Sequence, residues 1–203
     1  MPSKWKHSEL GSFSLSTEFD SCDWRGTLSL PAFACFKFRR SGPFKGTPRV
    51  ALVFRSWIDD FIPGTKEASL ALRIVKNEAE LVKKIKRVMS RELCGTGPDS
   101  GMYWREEPEP LEECFETLRR AKIETPKIGP DHVDYLIGAP SITIWVHDES
   151  PIRAEAILDF SAAFEDEHGL GLLTNGSRIL GIGYQSQLRI SHFRRLAGVV
   201  AIL

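Results

Sequence analysis

The sequence lacks the features that mark nucleic-acid-binding and membrane-spanning proteins. Its 203 residues contain 27 basic and 27 acidic side chains, so no net charge draws the whole protein to nucleic acid or to an anionic membrane. The longest apolar runs, such as 50–54 and 199–203, are far shorter than the roughly 20 residues of a transmembrane helix. We therefore expect no membrane span, and nucleic acid is an unfavoured partner.

Cysteine is scarce, and its spacing is typical of neither a zinc site nor a disulfide framework. The four cysteines are scattered without a C-x-x-C pair, at positions Cys22, Cys35, Cys94 and Cys114. The opening MPSKWKHSEL carries charge but no apolar core of a secretory signal. We expect reduced thiols and a cytoplasmic protein, with Cys114 buried and inert on an apolar helix face.

Common catalytic signatures are also missing. Neither the G-x-S-x-G of many hydrolases nor the H-E-x-x-H of zinc proteases occurs. These absences favour a protein that is not an enzyme, and no cofactor is implied.

Hydrophobic periodicity divides the chain into three regions and predicts an α+β fold. Short apolar alternations indicate strands within 10–57, and Ile142, Ile144 and Val146 alternate with polar neighbours in a second sheet region, 141–184. Between them, 65–137 is helical in pattern. We expect one domain, 1–184, with antiparallel sheet from both ends and two or three helices on one face, followed by an extension, 185–203.

The clearest helix is NEAELVKKIKRVMSREL. Its apolar stripe has helical spacing, and Asn77 with Glu80 forms a capping-box pattern. A second helix is predicted in WREEPEPLEECFETLRRA, where one apolar face contains Leu111, Cys114, Phe115 and Leu118.

These two helical regions carry opposite charge. Residues 65–93 hold eight Lys or Arg against four Glu, whereas residues 104–118 hold one Arg against six Glu. The charged faces are either simply solvated or partner each other, within the fold or across a homodimer. Five glutamates at the start of the second helix are our candidate partner-binding patch: Glu106, Glu107, Glu109, Glu112 and Glu113.

The segment FEDEHGLGLLTNGSRILGIGY, 164–184, is open to three interpretations. Its paired G-x-G sequences lack the third glycine and the strand-to-helix context of a dinucleotide loop. Asn175-Gly176 between two apolar runs is typical of a β-hairpin turn. The remaining question concerns its acidic start, which is either a solvated turn or a site at which Glu165, Asp166, Glu167 and His168 bind a divalent metal.

The same segment resembles the C-terminal signature of an uncharacterised bacterial domain family, roughly W-D-x-E-H-G-L-G. Phe164 stands in place of the tryptophan, and Glu165 or Asp166, then Glu167, His168, Gly169, Leu170 and Gly171, occupy the matching positions. The family has no established activity, and some similar proteins are grouped with immunity proteins against bacterial toxins. The resemblance therefore implies a partner that is another protein, with a toxin as one candidate.

From these observations we expect a non-catalytic protein-binding domain. The alternative is a metal-binding domain or metal-dependent enzyme centred on 165–168.

Overall fold

The computed structural model describes residues 3–17, 21–94, 109–146 and 155–184, except for the side chains of Asp166, His168 and Tyr184. Eight strands form one sheet in which spatial order follows chain order. They are Lys4–His7 (β1), Gly11–Ser16 (β2), Cys22–Ser29 (β3), Arg49–Ser56 (β4), Ser141–Val146 (β5), Ala156–Ala162 (β6), Glu165–Thr174 (β7) and Ile179–Tyr184 (β8). The predicted α+β class is confirmed, although the sheet begins at Lys4, earlier than the predicted first strand.

The two predicted sheet regions are joined by one parallel pair. Every other neighbouring pair is antiparallel, but β4 runs parallel to β5, with Ala51 opposite Ser141 and Phe54 opposite Ile144. Each region is antiparallel as expected, and the parallel pair that joins them was not anticipated from the sequence. The helical region lies between the two strands in sequence and returns the chain to the end of the sheet at which β4 began, which makes the pairing parallel.

The described residues between β4 and β5 include four α-helices. They are Thr65–Lys76 (α1), Glu78–Leu93 (α2), Glu109–Arg120 (α3) and Val133–Leu136 (α4), the last preceded by a 3₁₀ turn at Pro130–His132. The start of α1 is capped by Glu67, whose Oε2 accepts the Gly64 N–H at 2.9 Å. None of the described helices has the length and apolar character needed to cross a membrane.

The helices pack on one face of the sheet, where alternate residues of each strand supply the core. Strand residues Trp24, Leu52, Phe54, Ile142 and Leu158 have no exposed surface, and they share one apolar cluster with Ile74 and Ile85 of the helices. This arrangement follows from the two periodicities, because a strand presents every second residue to the core and a helix every third or fourth.

Two details of the helices differ from the sequence prediction. Asn77 does not cap α2 with its side chain. In α3 the buried residues include Pro110, Cys114 and Leu118, whereas Leu111 is 38% exposed. Cys114 and Leu118 therefore lie on the apolar face as predicted, with Phe115 packed against the core, and only Leu111 lies near the solvated side.

The side chain of Asn77 instead helps to hold the β7–β8 hairpin loop against the helices. Its Nδ2 donates to the carbonyl of Gly176 at 3.2 Å, and Arg73 Nη1 donates to the carbonyl of Asn175 at 3.1 Å. Lys84 Nζ donates to the carbonyl of Ser177 at 2.6 Å. Part of the basic surface of α1 and α2 therefore stabilises the fold through hydrogen bonds to this loop.

The hairpin predicted at Asn175-Gly176 is confirmed, with a loop of residues 175–178 between the strands. Asn175 Oδ1 accepts the N–H groups of Ser177 and Arg178 at 3.1 and 2.9 Å, which satisfies backbone donors that the sheet leaves unpaired. Gly176 has a φ of 86°, a conformation that favours glycine.

Candidate protein-contact surface

The predicted acidic patch is partly described by the structure. Glu109, Glu112 and Glu113 are exposed on the first turns of α3, while Glu106 and Glu107 lie outside the described residues. The exposed carboxylates lie near the helix N-terminus, where the helix dipole stabilises negative charge. Their position permits contact with a basic partner, and the patch stays a prediction.

The first residue of the predicted metal cluster has a structural role. Glu165 is 4% exposed, and its Oε1 accepts the N–H of Glu167 at 2.9 Å. Its carbonyl accepts a bond from Arg40 Nη2 at 3.0 Å, which ties the start of β7 to the segment after β3. The Glu165 carboxylate therefore stabilises the turn itself.

Glu167 is exposed, whereas the side chains of Asp166 and His168 are not described. Among the side chains that the structure describes, no three from His, Cys, Asp and Glu form a group that could hold a metal ion. The metal hypothesis involving all four residues stays a prediction.

A different surface, absent from the sequence prediction, follows strand β4. Trp57, Ile58 and Ile62 are 58%, 38% and 48% exposed and lie in one loop; we call them the Trp57 surface. Sequence reasoning continued the apolar run of β4 through Trp57. The available signal was the string WIDDFIP, in which large apolar residues flank two acids outside any periodic pattern.

The base of this loop is anchored while its apolar side chains remain exposed. Trp24 Nε1, in the core, donates to the carbonyl of Phe61 at 2.7 Å. At the start of the loop, the Ile58 N–H donates to Ser56 Oγ at 3.0 Å. The loop is therefore fixed at both ends, which lowers the entropy cost of binding through it.

The Trp57 ring also packs against Trp145, an aromatic side chain that itself contacts Arg55. Its ring centroid lies 5.8 Å from that of Trp145, at an interplanar angle of 38°. The guanidinium of Arg55 lies 5.3 Å from the centre of the Trp145 ring, within the range of a cation–π contact. Arg55 in turn is held by Asp23 through bonds of 2.8 Å to Oδ1 and 2.6 Å to Oδ2.

The carboxylate that anchors this chain of contacts is ionised and buried. Burial alone would raise the pKa of Asp23, but hydrogen bonds and charge from Arg55, with further bonds from Arg25 and Ser21, hold its pKa below the usual value. Exposed Asp59 and Asp60 lie between the apolar residues of the loop. The surface thus combines apolar anchors with negative charge.

Burial disfavours the reactive thiolate form of Cys35 and Cys114. All four cysteines are free thiols. Burial, and secondarily Asp134, raises the pKa of Cys35 to about 11, and burial also raises the pKa of Cys114, which has no exposed surface. Such thiols are protonated at neutral pH. The absence of exposed surface on Cys114 confirms the expectation that it is buried.

Comparisons with known proteins do not assign the chain to a family. No family model, no curated protein and no solved structure matches it.

Proposed function

We propose that this protein is a non-catalytic binding domain that engages another protein through the Trp57 surface. The observation that carries the proposal is Trp57 itself, which is 58% exposed although it sits in an anchored loop and against Trp145. Tryptophan is usually highly buried, and tryptophans held in place are frequent energetic centres of protein interfaces.

Apolar burial would supply the driving force for this contact. Removing a large apolar side chain from water is worth roughly 1.5–3 kcal/mol, and one loop presents three such exposed side chains here. The anchored loop loses little conformational freedom on binding.

Charge supports a basic partner surface. Asp59 and Asp60 lie beside the apolar residues, and Glu109, Glu112 and Glu113 form a second exposed acidic group. Carboxylates at these positions disfavour a phosphate backbone and favour lysine and arginine. A basic bacterial toxin, the partner implied by the family resemblance, is our specific proposal for the partner class.

The proposal is tested by capture from the native host with wild-type protein and Trp57→Ala as paired baits, followed by calorimetry with the purified partner. We expect Trp57→Ala to weaken binding about 30-fold or more. Leu111→Ala is the matched control, because Leu111 is another exposed apolar residue but lies on α3.

Loss of affinity in Leu111→Ala and in charge reversal of Glu109, Glu112 and Glu113, with unchanged affinity in Trp57→Ala, would move the interface to α3. A captured partner that is toxic when expressed alone, and harmless with wild-type protein, would support the toxin partner.

A further inference from the structure

The face of the sheet opposite the helices is basic over its β1–β4 half, which we call the basic face. Phe13, Trp24 and Phe54 point into the core, so the residues that alternate with them point to the opposite face. Residues paired on neighbouring strands share a face, which brings together the following basic side chains: Lys4, Lys6, Arg25, Arg49 and Arg55. These four strands contain a single acid, Asp23, on the same face. Five positive charges against one negative charge give the basic face a net charge of +4.

The positive charge of the basic face is presented to solvent. Four of its five basic residues are exposed: Lys4, Lys6, Arg25 and Arg49. Arg25 and Arg55 both contact Asp23, at 3.1 and 2.6 Å, so two guanidinium groups share one negative charge. This cluster keeps an excess of positive charge, and the two lysines and Arg49 add to it.

The position of two arginines inside the sheet indicates a role in binding. Lysines on an edge strand often serve to prevent pairing with another sheet, and this role would account for Lys4 and Lys6 on β1. It does not account for Arg25 and Arg49, because β3 and β4 have neighbouring strands on both sides. Like charges grouped on one face repel each other, and a bound anion would remove that repulsion.

The residues between the cations indicate which kind of anion fits. They are small and exposed, and most carry a hydroxyl group: Ser12, Ser14, Thr27, Ser29 and Ala51. A contact with another protein usually has large apolar residues at its centre, but none of these four strands exposes one, and Val53 is half-buried. Lysine, arginine, serine and threonine are instead the side chains that contact phosphate groups in nucleic-acid complexes.

We propose that the basic face binds a single-stranded nucleic acid through its phosphate backbone. Lys4 and Lys6 lie two residues apart, roughly 7 Å along β1, and Lys4 and Arg25 lie two strand spacings apart, roughly 10 Å. A flexible single strand can follow cations at such spacings. The short side chains between the cations form no projection that would enter the groove of a duplex.

This contact does not read the bases. The aromatic residues of the four strands belong to the core or pack against it, so they offer no platform for stacking: Trp5, Phe13, Trp24 and Phe54. Contacts to phosphate carry no sequence information. We therefore expect the affinity to depend on salt concentration and not on base composition.

The inference goes beyond the proposed protein contact and does not rest on it. The zero net charge of the chain makes nucleic acid an unfavoured partner of the whole protein, but the fold separates the charges. The basic face lies on the open side of the sheet. Glu109, Glu112 and Glu113 lie on α3, among the helices that pack on the other side.

The test measures the fluorescence anisotropy of a labelled oligothymidine, about 15 nucleotides long, during titration with the full chain. We expect a dissociation constant on the order of 10⁻⁵ M at low salt. With four exposed cations engaged, each contributing about 0.7, the logarithm of the affinity should fall against the logarithm of the salt concentration with a slope of about 3. Oligodeoxyadenosine of the same length should bind with the same affinity.

Lys4→Thr combined with Lys6→Thr should weaken binding about tenfold and lower the slope by about 1.4, because two cations are lost. Threonine keeps the strand-forming tendency of β1. The matched control, Lys83→Ala combined with Arg87→Ala, removes the same charge from exposed positions of α2 and should keep the wild-type affinity and slope. Trp57→Ala should also bind the oligonucleotide like the wild type, so this proposal and the proposed protein contact can fail separately.

The absence of binding at low salt, or an equal loss of affinity in the two double variants, would overturn the inference. Tighter binding of a matched hairpin duplex would overturn the assignment of a single strand. Displacement of the oligonucleotide by polyglutamate at equal charge concentration would identify an acidic polypeptide as the ligand and would overturn it as well. Circular dichroism of both double variants checks that the fold is intact.

Discussion

Arg55 and Asp23 face each other directly across strands β3 and β4 and form a two-bonded ion pair. The bonds are 2.8 Å from Nε to Oδ1 and 2.6 Å from Nη2 to Oδ2, and the Asp23 side chain is 1% exposed. A planar guanidinium can donate two parallel hydrogen bonds to one carboxylate. Lysine at position 55 could not form such a pair of bonds, because its ammonium group is a single point of donation. The pair fixes the arginine that lies beside Trp145.

Acid should destabilise the protein partly through Asp23. Its pKa is lowered in the folded state, so the unfolded state takes up the proton first and the stabilisation is lost as pH falls below about 4 and through the folded pKa. We expect the free energy of unfolding, measured by urea titration between pH 2 and 6, to fall less steeply in Asp23→Asn than in the wild type. Asp131→Asn, which removes a carboxylate that is 97% exposed, is the matched control for the loss of one acidic group at the surface. Parallel slopes for wild type and Asp23→Asn would contradict the assigned pKa shift.

Gly176→Ala should destabilise the protein more than Gly42→Ala does. Both glycines have a positive φ, of 86° and 85°, so alanine at either position incurs a backbone cost of roughly 1–2 kcal/mol. A Cβ at Gly176 would also lie 3.0 Å from the Cβ of Arg73, whereas a Cβ at Gly42 meets nothing within 4 Å. We expect an additional loss of about 1 kcal/mol for Gly176→Ala in thermal or urea unfolding. Equal losses in the free energy of unfolding would show that the hairpin loop can move away from α1 without destabilising the protein.

The thiols should differ in reactivity according to burial. Cys35, with a pKa of about 11 against an ordinary value of 9.0, holds roughly a hundredfold less thiolate at pH 8, and Cys114 is fully buried. Iodoacetamide labelling followed by peptide mass spectrometry should modify Cys114 only at the rate of unfolding and Cys35 slowly. In urea all four should label alike. Rapid labelling of Cys114 in the native protein would contradict the packing of α3.

Metal analysis tests the alternative interpretation of 165–168. Because the Glu165 carboxylate is buried and accepts the Glu167 N–H, we expect protein purified without tags or chelators to hold less than one equivalent of any divalent metal. His168→Ala should then leave the metal content unchanged. A stoichiometric ion that disappears in His168→Ala would establish a metal site and would favour the metal-binding alternative over a protein-binding domain.

Features set by neighbouring residues could be predicted from the sequence. The stripe through Leu81 and Ile85 identified α2 because helical periodicity is a local property, and Asn175-Gly176 identified the hairpin because turn geometry depends on a few residues. The parallel pairing of Ala51 with Ser141 joins distant parts of the chain, so no local pattern contains it.

The Trp57 surface was not predicted for a related reason. An apolar residue after a strand reads as its continuation unless the end of the strand is known. Strand β4 ends at Ser56, whose hydroxyl accepts the Ile58 N–H. Asn77 also shows that a local pattern does not contain distant contacts. Its side chain does not cap α2 and instead donates to Gly176 on a hairpin that is distant in sequence.

The parallel junction between β4 and β5 also has a kinetic consequence. The antiparallel pairs are closed by connections no longer than residues 30–48, between β3 and β4, but residues 57–140 must be folded back before Ala51 meets Ser141. Closing so long a loop carries its entropy cost before any ladder bond is made. We therefore expect two β-rich halves to gain structure early and independently, and their union across this seam to be the slowest event on the folding pathway.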